Sequence, residues 1–245
     1  MTLELTVADH QNPVQAFPAV ADLPRLDDLP PLRTRLLSVL RGTFKAALST
    51  LWDVRVHGLD NVPQQGPVIL AANHIGTLDG PLLVSVTPRT LALAKSELFD
   101  SPVGPVLSAA GQIPVSRDHA DVTAIKRCLQ VLCEDRVLAI FPEGMRGAGD
   151  MTRIKGGAAY LAMATGAPVV PVAILGTRTP GSHLKSTPPL GSEMHIVYGG
   201  QVHIPMQEWP RRKADIAAAT SYLAEVCSEH VRAAQQMTRM SLPGA

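Results

Sequence analysis

One stretch of the sequence reads Val68-Ile69-Leu70-Ala71-Ala72-Asn73-His74-Ile75-Gly76-Thr77-Leu78-Asp79 and joins an apolar run to a histidine and a carboxylate. A short apolar run of this kind predicts a buried strand that ends just before His74. Residues five apart diverge by roughly 140° on a continuous helix, so His74 and Asp79 meet only if the chain bends, which Gly76 permits. If Asp79 holds one ring nitrogen, the other can accept a proton from a hydroxyl. The structural alternative is a His at a strand end and an Asp at a helix start.

Three further segments have a composition that bears on function: Gly111-Gln112-Ile113-Pro114-Val115-Ser116-Arg117, Phe141-Pro142-Glu143-Gly144-Met145-Arg146 and Val169-Val170-Pro171-Val172-Ala173. With the His-x-x-x-x-Asp stretch, they resemble the four motifs of the glycerolipid acyltransferase family, whose best-known members are the lysophosphatidic acid acyltransferases. The third motif of that family is Phe-Pro-Glu-Gly-Thr-Arg, and Met145 here replaces the Thr. The resemblance covers roughly residues 50–205. The other matched positions are His74 and Asp79 in the first motif, Gly111, Ile113, Val115 and Arg117 in the second, and Pro171 in the fourth.

The resemblance implies a reaction and its chemistry. A fatty acyl group would move from acyl-CoA or acyl-carrier protein to the hydroxyl of lysophosphatidic acid or a related lysophospholipid. His74 would act as the general base, while Asp79 would fix its tautomer and stabilise the imidazolium. The sequence contains no Gly-x-Ser-x-Gly elbow, and the family implies direct attack without an acyl-enzyme. No metal and no cofactor is expected besides the thioester co-substrate.

The acceptors of this family carry a phosphate, which a planar guanidinium matches in a bidentate manner. Arg117 is the best candidate to bind it. Arg146 is the second, because family members hold the glycerol phosphate with this Glu-Gly-x-Arg segment. Glu143 is expected to bind the glycerol hydroxyl or brace an arginine. Gly144 would let the backbone approach the ligand.

Two lysines and one substitution also bear on the acceptor. Lys95 follows a predicted strand, and Lys155 precedes a predicted helix, where phosphate is favoured. Both are expected to add positive charge beside the phosphate, although isolated surface cations are usually solvated or paired. Met145 is expected to remove a hydroxyl from beside the acceptor.

Strand and helix patterns alternate along the chain, which predicts an α/β fold with a mostly parallel central sheet of about seven strands flanked by helices. Parallel strands carry their ligands at their carboxyl ends, so the loops after the motif strands should meet at one edge. The predicted strands are 54–56, 67–73, 90–95, 112–116, 136–141, 168–175 and 193–203, and the predicted helices are 80–87, 102–110, 119–134, 156–165 and 213–239.

The N-terminal region divides into two parts before a single predicted α/β domain at 53–245. Residues 1–31 are proline-punctuated and predict an extended arm. Residues 32–52 predict a helix with apolar residues at spacings of three and four and a polar face whose charges are all basic. Such a helix suits an anionic membrane surface, or it packs on the protein's own core. The apolar residues are Leu36, Leu40, Phe44, Leu48 and Leu51, and the basic ones are Arg33, Arg35, Arg41 and Lys45.

Composition is that of a folded enzyme of one domain, with 245 residues of which 46% are apolar. A net charge of +1 implies no bulk attraction to nucleic acid. The three cysteines lie in apolar-periodic stretches and predict buried thiols in a reducing compartment. No signal peptide and no transmembrane run are recognised. The expected location is therefore cytoplasmic, peripheral on the cytoplasmic face of the membrane.

Two other functions remain compatible with these residues. A hydrolase would use His74 to activate water and release free fatty acid. A catalytically silent lipid-binding protein would keep the pocket for adaptor work, although the intact His74 and Asp79 argue against it.

Overall fold

The computed structural model describes residues 6–7, 23–24, 26, 28–32, 34, 37–116 and 121–244. Within these residues, nine strands form one sheet. Four of the predicted site and helix residues, Arg33, Arg35, Leu36 and Arg117, lie outside the described residues, as does most of the predicted N-terminal arm. The strands are β1 (Thr6–Val7), β2 (Asp53–His57), β3 (Val68–Ala72), β4 (Thr90–Lys95), β5 (Ile113–Val115), β6 (Val137–Ile140), β7 (Val169–Leu175), β8 (Glu193–Tyr198) and β9 (Val202–His203).

The strand order is β1-β9-β7-β3-β6-β4-β5, with β8 also beside β7 and β2 beside β8. The pairs from β7 through β3, β6 and β4 to β5 are parallel, as is β2 with β8. The pairs β7–β8, β7–β9 and β1–β9 are antiparallel. The predicted mostly parallel α/β fold is therefore confirmed. The single strand predicted at 193–203 is two, since residues 199–201 belong to neither β8 nor β9, although the Gly199 N–H still donates to Pro171 O at 2.8 Å.

Helices cover both faces of the sheet. Alternate residues of β3 point to opposite sides: Ile69 packs with α4, α5 and α6, whereas Leu70 packs with α1 and α2. This two-sided burial explains why β3, β6 and β7 are continuous apolar runs. The helices are α1 (Leu37–Leu51), α2 (Asp79–Val86), α3 (Gly104–Ala109), α4 (Val122–Cys133), α5 (Gly157–Thr165) and α6 (Lys213–Thr238).

The ends of two helices show ordinary capping chemistry. The Asp121 side chain accepts a hydrogen bond from Ala124 N at 2.9 Å and caps α4. Gly166 ends α5 in the left-handed conformation, with φ of 69°. One cysteine departs from the prediction of buried thiols. Cys128 and Cys227 are buried, but Cys133 is exposed because it lies at the outer end of α4.

The helix α1 divides its apolar residues between the core and the surface. Leu37 and Leu48 are buried, whereas Phe44 and Leu51 are 43% and 41% exposed. Of the predicted stripe, the helix thus packs Leu48 on its own protein and leaves Phe44 and Leu51 outside. Among the described residues, no helix combines the length and the apolar character that a membrane crossing needs.

Replacing Gly166 or Gly42 by alanine should change the free energy of unfolding in opposite directions. Gly166→Ala should lower the free energy of unfolding by about 1–2 kcal/mol, since Ala pays the steric cost of the left-handed conformation. Gly42 lies inside α1, and a Cβ added there would have no other atom within 4 Å, so Gly42→Ala should raise it by about 0.8–1 kcal/mol. Urea unfolding measures both. Equal effects of the two substitutions would contradict these helix assignments.

Candidate active site

The loops that follow β3 and β6 meet at the carboxyl ends of these neighbouring parallel strands. His74 follows β3, and Glu143 follows β6. The backbone N–H of His74 donates to Glu143 Oε2 at 2.7 Å, which joins the two loops directly. Lys95 ends β4, the next strand in the sheet. The convergence that the sequence predicts is therefore present for the loops of His74 and Glu143, while Arg117 lies outside the described residues.

His74 and Asp79 are held together as a hydrogen-bonded pair. His74 Nδ1 lies 2.8 Å from Asp79 Oδ2. The carboxylate of Asp79 is fully buried, and the His74 side chain is 15% exposed. The His74 ring stacks on Phe141, with ring centroids 4.4 Å apart. An ionised Asp79 accepts the Nδ1 proton, so Nε2 is left as the basic nitrogen.

Hydrogen bonds from backbone N–H groups stabilise the bend between His74 and Asp79. Asp79 Oδ2 also accepts the N–H groups of Ile75 and Gly76, at 2.7 and 2.8 Å. The second oxygen, Oδ1, accepts the hydroxyl of Thr177, which follows β7. Gly76 lies so close to Thr177 that a Cβ would sit 2.5 Å from its carbonyl oxygen. Thr177 was not predicted, because its segment carries only the composition of a loop.

Asn73 anchors the same loop to β7. Its amide nitrogen donates to Gly149 O and Ile174 O at 3.2 and 3.1 Å, and its Oδ1 accepts from Ile174 N at 2.6 Å. The side chain is fully buried, so these bonds replace those that water would supply. The end of β3 is thereby fixed to the neighbouring strand.

Glu143 is half-buried and supports the backbone of His74. Burial raises the pKa of its carboxyl group above 4.5, although hydrogen bonds from the backbone N–H groups of His74 and Met151 oppose the shift. Nearby Asp150 and Asp79 raise the pKa further. Its contact with an acceptor hydroxyl or an arginine stays a prediction.

A cavity of about 1090 Å³ opens beside His74. It is walled largely by apolar side chains from α1, α2, α3, α4 and α5, and a cavity of this size can take a substantial part of a lipid. The apolar lining includes Leu40, Phe44, Pro81, Val84, Leu98, Val103, Val106, Leu107, Val115, Ile125 and Leu161.

Several cations line the same cavity. Three of the cations predicted to lie at the acceptor phosphate line it, namely Arg146, Lys155 and Lys95. The Nζ atom of Lys95 lies 2.5 Å from Glu97 Oε1, and this partner lowers the pKa of Glu97 to about 2. Two further cavity-lining cations, Arg41 of α1 and Lys185 of the loop after β7, were not predicted as site residues, because no motif includes them.

Gly144 and Met145 shape the loop after β6. Gly144 lines the cavity at φ of +79°, and a Cβ there would meet Lys155 Cε at 2.6 Å. Glycine thus makes room for the lysine, and the approach of a ligand to Gly144 stays a prediction. Met145 is 64% exposed and is not among the described residues that line the cavity. The expectation that it lies beside the acceptor stays a prediction.

Comparisons with known proteins support the family and the fold. Residues 53–175 match the family model described as Acyltransferase. The chain is 30% identical over 165 residues to a 1-acyl-sn-glycerol-3-phosphate acyltransferase of Bacillus subtilis, covering 66% of this chain and 80% of the relative. It is 32% identical over 229 residues to a lyso-ornithine lipid O-acyltransferase of Pseudomonas aeruginosa, covering 89% of this chain and 82% of the relative.

A solved structure has the same fold. The crystal structure of the 1-acyl-sn-glycerophosphate acyltransferase PlsC of Thermotoga maritima superposes with a TM-score of 0.62 at 23% identity, covering 83% of this chain and 81% of that one. The chain spans 37% and 44% of the length of two chloroplast relatives that it also matches. The family model nevertheless accounts for half of the chain, and the Bacillus and Pseudomonas relatives are matched over most of their length. This chain belongs to the acyltransferase family.

Proposed function

We propose that the protein transfers a fatty acyl group from a thioester to the hydroxyl of lysophosphatidic acid or a related lysophospholipid. The observation that carries the proposal is the 2.8 Å bond between His74 Nδ1 and Asp79, beside a largely apolar cavity with a cationic lining. The pair supplies a base, the apolar walls suit fatty chains, and the cations suit a phosphate.

The chemical step follows from the hydrogen bond between His74 Nδ1 and Asp79, which leaves Nε2 as the base. Nε2 takes the proton of the acceptor hydroxyl as its oxygen bonds to the thioester carbonyl carbon. Asp79 stabilises the imidazolium that forms. The tetrahedral intermediate then collapses, the carbon–sulfur bond breaks, and the departing thiolate takes the proton from His74. These steps need no group beyond the two substrates and the pair, with acyl-CoA or acyl-carrier protein as the donor.

Direct attack is favoured over an acyl-enzyme because the thiol in the cavity wall is protonated near neutral pH. Cys128 lines the cavity and is buried, and burial raises the pKa of its thiol to about 12. The thiolate, which is the nucleophilic form, is therefore scarce near neutral pH. The acceptor hydroxyl activated by His74 is the better nucleophile.

The charges around the cavity favour an anionic head group. Arg146, Lys155 and Lys185 line it, and a guanidinium can bind phosphate through two parallel hydrogen bonds. Among the described lining residues Asp121 is the one carboxylate, and its two oxygens accept the N–H groups of Ser116 and Ala124. We propose that Arg117 joins these cations at the phosphate.

A lyso-ornithine lipid is the second candidate acceptor. The relative of that name aligns with 89% of this chain, more than the Bacillus relative does. An ornithine head pairs an ammonium group with a carboxylate and has no net charge, whereas phosphate is anionic, so the cationic lining favours phosphate. Assaying both acceptors with acyl-CoA and acyl-carrier protein, with mass spectrometry of the products, separates the candidates. Release of free fatty acid alone would indicate the hydrolase, and binding without turnover the silent lipid-binding protein.

The membrane surface is the proposed partner of α1 and α3. Phe44, Val103 and Val106 line the cavity, and they are 43%, 51% and 41% exposed. They form an apolar mouth, with Arg41 and Lys45 as cations on the same helix as Phe44. An apolar surface with cations beside it suits an anionic bilayer. We propose the cytoplasmic face of the membrane as the location, with 53–245 as one acyltransferase domain and α1 on the membrane surface.

Removal of the base should abolish transfer. His74→Ala should lower kcat by about 10²–10⁴-fold, the usual contribution of a positioned base. Asp79→Asn should also lose most activity, because an amide at this position favours the wrong ring tautomer. Product formation from lysophosphatidic acid measures both. His203→Ala, which changes a histidine of β9 that does not line the cavity, is the control. A folded His74→Ala variant with near-normal turnover would refute the base assignment.

Arg146→Gln should raise the KM for lysophosphatidic acid by about tenfold or more, with a smaller change in kcat, because a charge-assisted bond to the head group is lost. Arg153→Gln is the matched control, since Arg153 is exposed and does not line the cavity. Steady-state kinetics with varied acceptor distinguish the two. An equal KM in both variants would show that Arg146 does not hold the acceptor.

Reversing two charges of α1 should weaken membrane binding. The variant Arg41→Glu/Lys45→Glu should partition to phosphatidylglycerol vesicles at least about thirtyfold less well, since each basic residue near such a surface contributes about 1 kcal/mol. Lys213→Glu/Arg232→Glu makes the same change of net charge at exposed positions of α6. Cosedimentation at low and physiological salt measures the partition. Equal losses in the two variants would contradict docking through α1.

A further inference from the structure

We infer that Thr177 is a positioning residue of the reaction: its hydroxyl holds Asp79 in the orientation that sets the tautomer of His74. The inference rests on the proposed function, because it assigns Thr177 a part in the same general-base step. Thr177 belongs to none of the four motifs, and it reaches Asp79 from the segment after β7.

The two oxygens of Asp79 are held very differently. Oδ2 accepts three donors, namely His74 Nδ1 and the backbone N–H groups of Ile75 and Gly76. Oδ1 accepts the hydroxyl of Thr177. The Asp79 side chain is fully buried, so water cannot take over the bond to Oδ1. The Thr177 hydroxyl therefore fixes the rotation of the carboxylate about its own axis, which decides how Oδ2 faces the imidazole.

The position of Thr177 is itself fixed by contacts on both sides. Gly176 has φ of +82°, and a Cβ there would lie 2.2 Å from Glu193 O, so the strand end packs against β8. Thr177 is fully buried, and the backbone of Gly76 packs against its carbonyl group. Arg178 donates through Nη2 to Gly147 O and Gly244 O, at 2.7 and 2.8 Å.

The same segment also reaches the loop after β6. Gly147, whose carbonyl accepts from Arg178, donates its own N–H to His74 O at 2.9 Å. The segment of Thr177 and Arg178 thus touches both loops that carry the candidate site. A side chain that only filled space would not need a hydroxyl aimed at the carboxylate. The bond to Oδ1 is the feature that a methyl group cannot replace.

The test compares Thr177→Ala, which removes the hydroxyl, with Thr177→Ser, which keeps it. With lysophosphatidic acid as acceptor, Thr177→Ala should lower kcat by about tenfold or more, the effect of losing one hydrogen bond to a charged group, with KM within about twofold. Thr177→Ser should keep kcat within about threefold of the unsubstituted protein. Urea unfolding of all three proteins checks that the comparison is between folded enzymes.

A spectroscopic measurement decides the inference without any turnover. The low-field proton resonance of His74 Nδ1–H, identified by its disappearance in His74→Gln, should be sharp in the unsubstituted protein and in Thr177→Ser. It should broaden or move upfield in Thr177→Ala, because the carboxylate no longer faces the ring squarely. An unchanged resonance in a folded Thr177→Ala variant, or unchanged kcat, overturns the inference. Lack of transfer to any acceptor by the unsubstituted protein would instead overturn the proposed function, and the resonance would still decide the role of Thr177.

Discussion

A negative charge placed inside a protein must be met by hydrogen-bond donors, and the structure around Asp79 is organised by that requirement. Its carboxylate is fully buried and receives four donors, two of them backbone N–H groups of the loop that bends back toward it. The bend brings these donors to the carboxylate, and their hydrogen bonds replace those that water would supply. The orientation of His74 follows from the same bonds.

The parallel sheet supplies the frame for that arrangement. The strands β3 and β6 run side by side, so their following loops emerge together, and the contact between His74 N and Glu143 joins them. Asn73 ties the end of β3 to β7 on the other side. Each loop is therefore anchored to a central strand within a few residues of its functional side chain. Such short tethers limit the motion of the pair, which favours catalysis by fixed geometry.

Periodicity and motif spacing predicted much of this molecule. The apolar runs of β3, β6 and β7 identify buried strands, and the five-residue spacing of His74 and Asp79 identified a pair that the structure brings into contact. Contacts between loops that are distant in the sequence leave no periodicity or spacing by which they could be predicted. Thr177 and Lys185 lie in a segment of loop composition, and their roles depend on where the chain folds back. The outward direction of Met145 likewise depends on the turn at Gly144, which a linear motif does not describe.

The helix α1 is shared by two environments, and this has a consequence for how a lipid would arrive. Leu37 and Leu40 form part of the cavity wall, Phe44 lies at the cavity mouth, and Val39 is exposed. Hydrating each methylene of a fatty chain costs about 0.8 kcal/mol, so drawing a dozen of them through water would cost on the order of 10 kcal/mol. In the docking proposed above, α1 would touch both the bilayer and the cavity, and the tail would pass laterally from one apolar medium into another without that penalty.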